Sequence, residues 1–364
     1  MILSSYIARR FAWMVTRIFL IFFGIMMLID MVDQLRRFSG QEVGLGRLIQ
    51  LSALNVPASL YRILPLIVIL AAIALFLGLA RSSELVVVRA AGRSGLRFLM
   101  TPVLAALALG GISVLVFNPL VAATTQQHDV LNARLKQGAE SVLSVSEDGL
   151  WLRQGGSDGQ TVIHANRANA DGTQLFGATF LTFGATGLPE TRIEADEALL
   201  TPGAWALTGV KRWQLAASNP EAAATLAPRM ALPSDLTRDA IRDSFGTPEA
   251  IPIWDLPEYI AALERAGFSA RNHRVWMQME LAMPLLLAAM VLVAAGFTMR
   301  HARFGKTGSM VLLALAGGFG IFFLRNFAQV LGENGQIPIL LAAWSPPVAA
   351  VLMAMGLLLH LEDG

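Results

Sequence analysis

Few side chains in this sequence are placed where they could carry out covalent chemistry. Gly305-Lys306-Thr307 looks like the end of a phosphate-binding loop, but Arg300 stands where such a loop needs a glycine. The five histidines contain no i, i+4 pair, and this scatter argues against a metal site. We therefore expect no catalytic residue, no metal and no cofactor in this chain.

One segment is better suited to a partner protein than to a reaction. Residues 81–92 place the carboxylate of Glu84 beside an apolar run that includes Leu85 and Val88. A serine can cap a short helix here, Glu84 suits the positive N-terminal end, and Gly92 can end the helix. Such a helix, about 82–92, either lies on the membrane surface with its valines in lipid or docks into a groove on a cytoplasmic ATPase.

A second polar group follows the first apolar segment. Asp30, Asp33, Arg36 and Arg37 lie at i, i+3 and i, i+4 spacings. Simple pairing along one helix explains them and stabilises that helix only by tenths of a kcal/mol, about 0.2–0.5 per pair. Alternatively, the two guanidinium groups bind the phosphates of an anionic lipid, which they can contact in a bidentate manner.

A third group is aromatic. Residues 317–323 combine three glycines with Phe319, Phe322 and Phe323. Small residues next to large rings are compatible with close helix packing or with a gate lined by the rings. Packing is the commoner use of such a stripe.

The composition defines the environment in which these groups act. Of the 364 residues, 55% are hydrophobic and 15% charged, whereas soluble domains carry about 25% charged residues. The mean hydropathy is +0.56. The net charge of +2 gives no argument for nucleic acid binding, and the absence of cysteine excludes disulfides.

The apolar residues fall into blocks that are long enough to cross a membrane. A hydrocarbon core of about 30 Å needs roughly 20 residues of helix. Arg17 lies near one end of the first block, from which its side chain can reach the interface. We predict six membrane spans: Ile7–Ile29, Ile63–Ala80, Phe98–Phe117, Leu281–Met299, Gly308–Leu324 and Ile337–Leu359.

The distribution of basic residues predicts the orientation. Ten arginines and lysines of the short connections fall on one side of the six spans and five on the other. The positive-inside rule then places both termini in the cytoplasm. The region from about Asn118 to Val275 is consequently predicted to be periplasmic.

This middle region has the pattern of an antiparallel β-structure. Short alternating runs are separated by turn signals such as Asp148-Gly149 and Pro202-Gly203. This spacing indicates a sandwich or a jelly roll. The predicted strands are Leu150–Gln154, Thr161–Ala165, Leu175–Phe183, Arg192–Leu199 and Trp205–Leu215, followed by a helix at Leu256–Gly267.

Taken together, these segments resemble the LptF/LptG permease family. The resemblance rests on residues 32–37 after the first span, residues 81–88 with Ala91-Gly92, Gly149-Leu150-Trp151 and residues 335–338 before the last span. It extends over nearly the whole chain in the same order. Asp30 is a departure, because a basic residue is expected at its position.

The resemblance implies a fold and a division into domains. The fold is an α-helical polytopic membrane protein of six transmembrane helices with an inserted periplasmic antiparallel β-jellyroll domain. Residues 1–117 would hold helices 1–3 and the coupling helix, residues 118–275 the periplasmic domain with flanking helices, and residues 276–364 helices 4–6.

The resemblance also implies a function and partners. The chain would be a permease subunit of an ABC transporter in the inner membrane of a Gram-negative bacterium, extracting lipopolysaccharide from the outer leaflet. Its implied partners are a paralogous LptF subunit, an LptB ATPase dimer that binds ATP and Mg, LptC and a periplasmic LptA-type bridge.

Particular residues take roles by the same resemblance. Glu84, with Leu85 and Val88, would contact the ATPase, while Arg36 and Arg37 would lie near the phosphates of the lipid, which favours the lipid-contact alternative. The remaining lipid-contact or gate residues would be Asp30, Asp33, Phe22, Met26, Phe319, Phe322 and Phe323.

Three alternatives remain open. The paralogous LptF branch shares this layout, although residues 32–35 favour the LptG branch. A non-transporting envelope scaffold would tolerate replacement of Glu84. A secondary transporter would place ion-coupling residues at the midplane, and the apolar centres of the later spans argue against this class.

Overall fold

The computed structural model contains two compact units. One comprises Met1–Asn132, Glu249–Trp254 and Arg271–Gly364, and the other Ala133–Pro248 and Asp255–Ala270. The described residues are 2–39, 44–82, 84, 95–135, 143–146, 149–156, 159–169, 172–184, 188–234, 236–237, 241, 247–265, 268–299 and 307–362.

The helices follow the apolar blocks of the sequence. A π-helical segment, Ser113–Phe117, joins α4 to α5, and a 3-10 turn lies at Pro248–Ala250. In chain order the helices are α1 (Ile2–Arg37), α2 (Leu45–Arg62), α3 (Leu64–Arg81), α4 (Gly95–Ile112), α5 (Asn118–Leu135), α6 (Leu256–Arg265), α7 (Arg271–Leu281), α8 (Met283–Thr298), α9 (Thr307–Glu333) and α10 (Ile339–Glu362).

The predicted six-span architecture is confirmed, with one difference in how a span is built. Among the described residues, five helices are individually long and apolar enough to cross a membrane, and α7 with α8 meets the same criterion as one segment that is bent by 50°. The bend falls between Leu281 and Met283, and Pro284 lies in the first turn of the second helix. Proline is well placed in a first helical turn because it has no N–H to leave unpaired.

Two helices form the centre of the helical unit. Helix α8 packs against α3, α4, α9 and α10, and α3 also contacts α1. Both helices are apolar around their whole circumference, as expected for helices that have neighbours on every side. At the α4–α8 contact, a Cβ atom on Gly110 would lie 2.3 Å from the Cα atom of Pro284. The glycine therefore permits backbone-to-backbone packing at the bend.

The other unit contains one seven-stranded antiparallel sheet whose strands are paired in chain order. Each predicted strand lies within an observed one, apart from a single residue at the end of β6, and the inserted antiparallel β-domain is confirmed. The strands are β1 (Leu143–Ser146), β2 (Gly149–Gly156), β3 (Gly159–Ala168), β4 (Gln174–Gly184), β5 (Pro189–Thr201), β6 (Ala204–Gln214) and β7 (Thr225–Pro233).

The sheet is rolled rather than flat. The Ser234 hydroxyl donates to Gln154 Oε1 at 2.7 Å, although β2 and β7 are five strands apart; neighbouring strands are spaced by about 4.8 Å. Regular pairing is interrupted along one row that crosses five strands, and glycines in this row have positive φ angles. Such interruptions bend strands. The row, termed the crease, consists of Asn166, Gly177, Asp196, Gly209 and Pro228.

Rolling gives the sheet an enclosed apolar face. Trp205 and Phe180 are fully buried, and their rings meet edge to face with centroids 6.2 Å apart. Leu150, Ile163 and Leu175 are also fully buried. A single flat sheet could not cover these side chains from both sides, so the rolled shape produces the core of the domain.

Candidate functional site

Two spanning helices, α1 and α9, leave a larger share of their apolar residues uncovered than the other candidate spans do. In the most apolar stretch of α1 only 6% of the residues are buried, and in α9 only 22%, compared with 61% in α3. Both α1 and α9 pack against α3. A helix this apolar requires lipid or a partner over its open side. The uncovered faces of α1 and α9 are therefore the candidate lipid and partner surface, termed here the open face.

The predicted aromatic and methionine residues lie on these two helices. On α9, Phe319 and Phe323 are exposed, with ring centroids 6.5 Å apart, and Phe322 is half-buried 6.1 Å from Phe323. On α1, Phe22 and Met26 are half-buried. The structure thus brings the three α9 rings together.

The glycines next to these rings have the packing role. A Cβ atom on Gly318 would come within 2.5 Å of the Ile69 side chain of α3, and one on Gly317 within 3.2 Å of Val293 of α8. A Cβ atom on Gly320 would meet no atom within 4 Å. Residues 317–318 bring α9 close to the central helices, while Phe319 and Phe323 face outward.

The polar group at the end of α1 contains one arginine that is paired along the helix and one that is exposed. Arg37 forms an i, i+4 ion pair with Asp33 at 2.8 Å. Asp30 instead accepts a hydrogen bond from the Asn55 side chain of α2 at 2.6 Å. Arg36 is exposed and has no carboxylate in ion-pair contact among the described side chains. One guanidinium of the group is thus committed to a neighbour and the other is open to an anion.

Glu84 is held from within the chain. Its Oε1 atom accepts hydrogen bonds from Arg10 of α1 at 2.8 Å and from Ser82 at 2.7 Å. Arg10 also donates to the Tyr6 hydroxyl at 2.8 Å. Burial raises the pKa of Glu84, but the hydrogen bonds from Arg10 and Ser82 outweigh this effect, and the pKa is lowered overall. Leu85, Val88 and the remainder of the predicted coupling helix lie outside the described residues.

Sequence reasoning missed the residues that hold these groups from a distance. Arg10 is 74 positions from Glu84, and Asn55 is 25 positions from Asp30. The i, i+4 spacing of Tyr6 and Arg10 was a signal for local pairing, and no signal in one sequence pointed to Glu84. The amphipathic pattern of α2, with buried Leu48, Leu51 and Val56, could have indicated a helix that carries Asn55 against α1.

Among the described residues, no group of three histidine, aspartate or glutamate side chains could hold a metal ion. Fold and surfaces define a class: a polytopic membrane protein with an uncovered lateral surface, an intramolecularly held carboxylate and an inserted β-domain. The chain belongs to the lipopolysaccharide export system permease LptF/LptG family, whose model matches residues 5–360.

Individual relatives match over almost their whole length. The chain is 26% identical over 341 residues to the lipopolysaccharide export system permease protein LptG of Escherichia coli (strain K12), covering 92% of this chain and 91% of the relative. It is 22% identical over 366 residues to the LptG protein of Haemophilus influenzae, covering 99% of each.

Proposed function

We propose that this chain is an LptG-type permease subunit that extracts lipopolysaccharide from the outer leaflet of the inner membrane and passes it to a periplasmic β-jellyroll bridge. The observation that carries the proposal is the open face of α1 and α9 in a member of this permease family. Similarity to proteins named LptG favours this branch over LptF.

The open face supplies the apolar wall that acyl chains require. Phe319 and Phe323 of α9 are exposed, as is Phe23 of α1. Burial of an acyl chain against such a wall contributes about 0.8 kcal/mol per CH₂ group. A paralogous LptF subunit facing this surface would close a cavity around the chains, with α1 and α9 as the gate helices.

The group at the end of α1 supplies the polar rim. A phosphate can take both N–H edges of Arg36, whose guanidinium is exposed. Arg37, held by Asp33 at 2.8 Å, has less freedom and contributes mainly charge. Asp30 accepts a hydrogen bond from Asn55, which ties α1 to α2 at this rim.

Energy would come from a partner. An LptB ATPase dimer hydrolyses ATP, and residues from Glu84 onward couple its closure to this chain. Because Arg10 joins Glu84 to α1, movement at Glu84 is transmitted directly to a gate helix. The lipid then passes to the apolar interior of the β-domain, and onward to LptC and an LptA-type bridge. This mechanism places both termini in the cytoplasm and the β-domain in the periplasm.

Native mass spectrometry tests the assembly. The chain is co-expressed with the LptF, LptB and LptC proteins of its own membrane and purified in mild detergent. We expect one copy of this chain, one LptF and two LptB subunits with bound lipopolysaccharide. Recovery of the well-folded chain alone, or as a homodimer without lipid, would contradict the proposal and favour a scaffold.

Charge reversal tests the polar rim in that complex. Arg36→Glu/Arg37→Glu is compared with Arg47→Glu, which reverses an exposed charge on α2. We expect the double variant to reduce lipopolysaccharide release by about tenfold or more, because each lost charged contact costs about 1.5–3 kcal/mol. The control variant should release lipid normally. Unchanged release in the double variant would refute the role of the rim.

A further inference from the structure

A carboxylate that the proposed mechanism does not use lies in the interior of the helical unit. Glu280, in the last turn of α7, is fully buried. The Tyr61 hydroxyl donates a hydrogen bond to its Oε2 atom, and the Asn118 amide donates to the same oxygen at 3.2 Å. Arg325 of α9 is only 6% exposed, its helix packs against α7, and its charge acts on that of Glu280. These four residues are named the Glu280 cluster.

Three members of the cluster lie where a helix is interrupted. Tyr61 comes two residues before the break at Ile63 that separates α2 from α3. Asn118 directly follows the π-helical segment. Glu280 comes just before the 50° bend between α7 and α8. Interruptions of this kind are places at which helix axes can turn and are frequent at functional sites.

The fourth member belongs to a continuous helix that the proposed function treats as a gate. Arg325 lies in the second half of α9, two residues after Phe323 of the open face. Helix α9 also packs against α7. A displacement of α9 therefore changes the separation of Arg325 from Glu280, while the hydrogen bonds to Tyr61 and Asn118 hold Glu280 in place.

The hydrogen bonding of the cluster is incomplete. Both described donors bind Oε2, and the buried Oε1 atom has no hydrogen-bond partner among the described residues. The interaction with Arg325 is electrostatic, without a direct ion pair in the described structure. A buried carboxylate is costly unless it is paired, and apolar residues would form a static core at lower cost. The buried carboxylate and the buried cation thus lie on helices that pack together, without an ion pair among the described contacts.

We propose that Glu280 is a positioning residue for lipid export, which acts through Arg325 to set the position of the gate helix α9. This inference rests on the proposed function. No described residue donates a hydrogen bond to the Oε1 atom. When α9 moves toward α7, the Arg325 guanidinium reaches Oε1 and completes the pairing of both groups. The cluster thus favours a second position of α9, in which the open face has a different width.

The experiment uses the assembled transporter in proteoliposomes that contain lipopolysaccharide, with an LptA-type acceptor outside. Lipid transferred and ATP hydrolysed are measured together, and the melting temperature of the complex is recorded. Glu280→Gln keeps the shape and a carbonyl acceptor but removes the charge. Its matched control is Glu333→Gln. Glu333 is a half-buried carboxylate of the helical unit that lies outside the cluster and accepts a hydrogen bond from Gln329 at 2.8 Å.

We expect Glu280→Gln to transfer about tenfold less lipid per ATP hydrolysed, as for a contact made in only one state of the cycle. Its melting temperature should stay near that of the wild type, and Glu333→Gln should be unaffected in both measurements. The double variant Glu280→Gln/Arg325→Met should transfer no less lipid per ATP than the more impaired of the two single variants, because both residues act through one contact.

Each other result has a definite meaning. If the wild-type complex transfers no lipid, the proposed function fails. If it does, and Glu280→Gln transfers lipid at the wild-type ratio, only the positioning role is overturned. If Glu280→Gln does not assemble, Tyr61→Phe is measured instead; it removes one hydrogen bond to Glu280 and keeps the ring. A normal ratio in Tyr61→Phe then overturns the role as well.

Discussion

The backbone contact at the bend of the fourth span leads to a sharp prediction. An added methyl group on Gly110 would place its carbon 2.3 Å from Cα and 2.9 Å from Cβ of Pro284. Carbon atoms attract at about 3.5–4.0 Å. The two helices must therefore separate by about 1 Å, since a backbone atom of the partner helix cannot rotate away. We predict that Gly110→Ala destabilises the helical unit.

A neighbouring glycine serves as the control that separates the cost of the collision from the change in helix propensity. Gly111 lies in the same helix, and a Cβ atom there would meet nothing within 4 Å. Both glycine-to-alanine changes gain about 1 kcal/mol of helix propensity, so this gain cancels in their comparison. Overpacking costs about 1–3 kcal/mol. Gly110→Ala should therefore be less stable than Gly111→Ala by about 1–3 kcal/mol.

Denaturation of the purified chain in detergent micelles, followed by tryptophan fluorescence over a denaturant series, measures this difference. The wild type and both variants are compared under identical conditions. Equal midpoints for the two variants would refute the reasoning, because they would mean that α4 does not approach α8 as closely as the structure places it.

Two further predictions concern other contacts. Gly209→Ala should destabilise the β-domain more than Gly203→Ala. Both glycines have positive φ angles, which cost alanine about 1–2 kcal/mol, but only at Gly209 would the added Cβ atom collide, 2.0 Å from an Asp196 oxygen. The resistance of each full-length variant to proteolysis measures the difference. Equal resistance of the two variants to proteolysis would contradict the close approach of Gly209 and Asp196 in the crease. A double-mutant cycle on Arg10→Met and Glu84→Gln should give a stability coupling of about 0–1 kcal/mol, because both side chains are partly exposed. The lowered pKa of Glu84 means that this coupling is complete above the ordinary glutamate pKa and is lost only as pH falls through the depressed value; a loss between pH 8 and pH 6 would contradict the ion pair.

The spans and most strands could be predicted because their signals are local. An apolar block of about 20 residues has few alternatives to crossing a membrane, and alternation between turns specifies a strand. Strand β7 escaped prediction because Pro228 interrupts its pattern. The structure shows β7 at the edge of the sheet, where proline is tolerated because one side of the strand needs no donor.

The contacts that give the site its character are not local. Arg10 lies 74 positions from Glu84, and Asn55 lies 25 positions from Asp30. Tyr61 lies 219 positions from Glu280. Periodicity identifies a buried face of a helix but does not tell which neighbour meets it. A lone carboxylate before an apolar span is visible at Glu280, but its role depends on partners in three other helices that no residue pattern identifies.

The strand order of the β-domain has a consequence for how the chain is made. Every strand pairs with its immediate successor, so each hairpin closes a short loop, and domains rich in such near-neighbour contacts fold quickly. We expect the hairpins to assemble one after another as the segment emerges, before α7 to α10 have been synthesised. The bond between Gln154 and Ser234, which spans nearly the whole sheet, can form only at the end. The rolled interior is thus finished when the last strand arrives, and until then its apolar residues are accessible to chaperones.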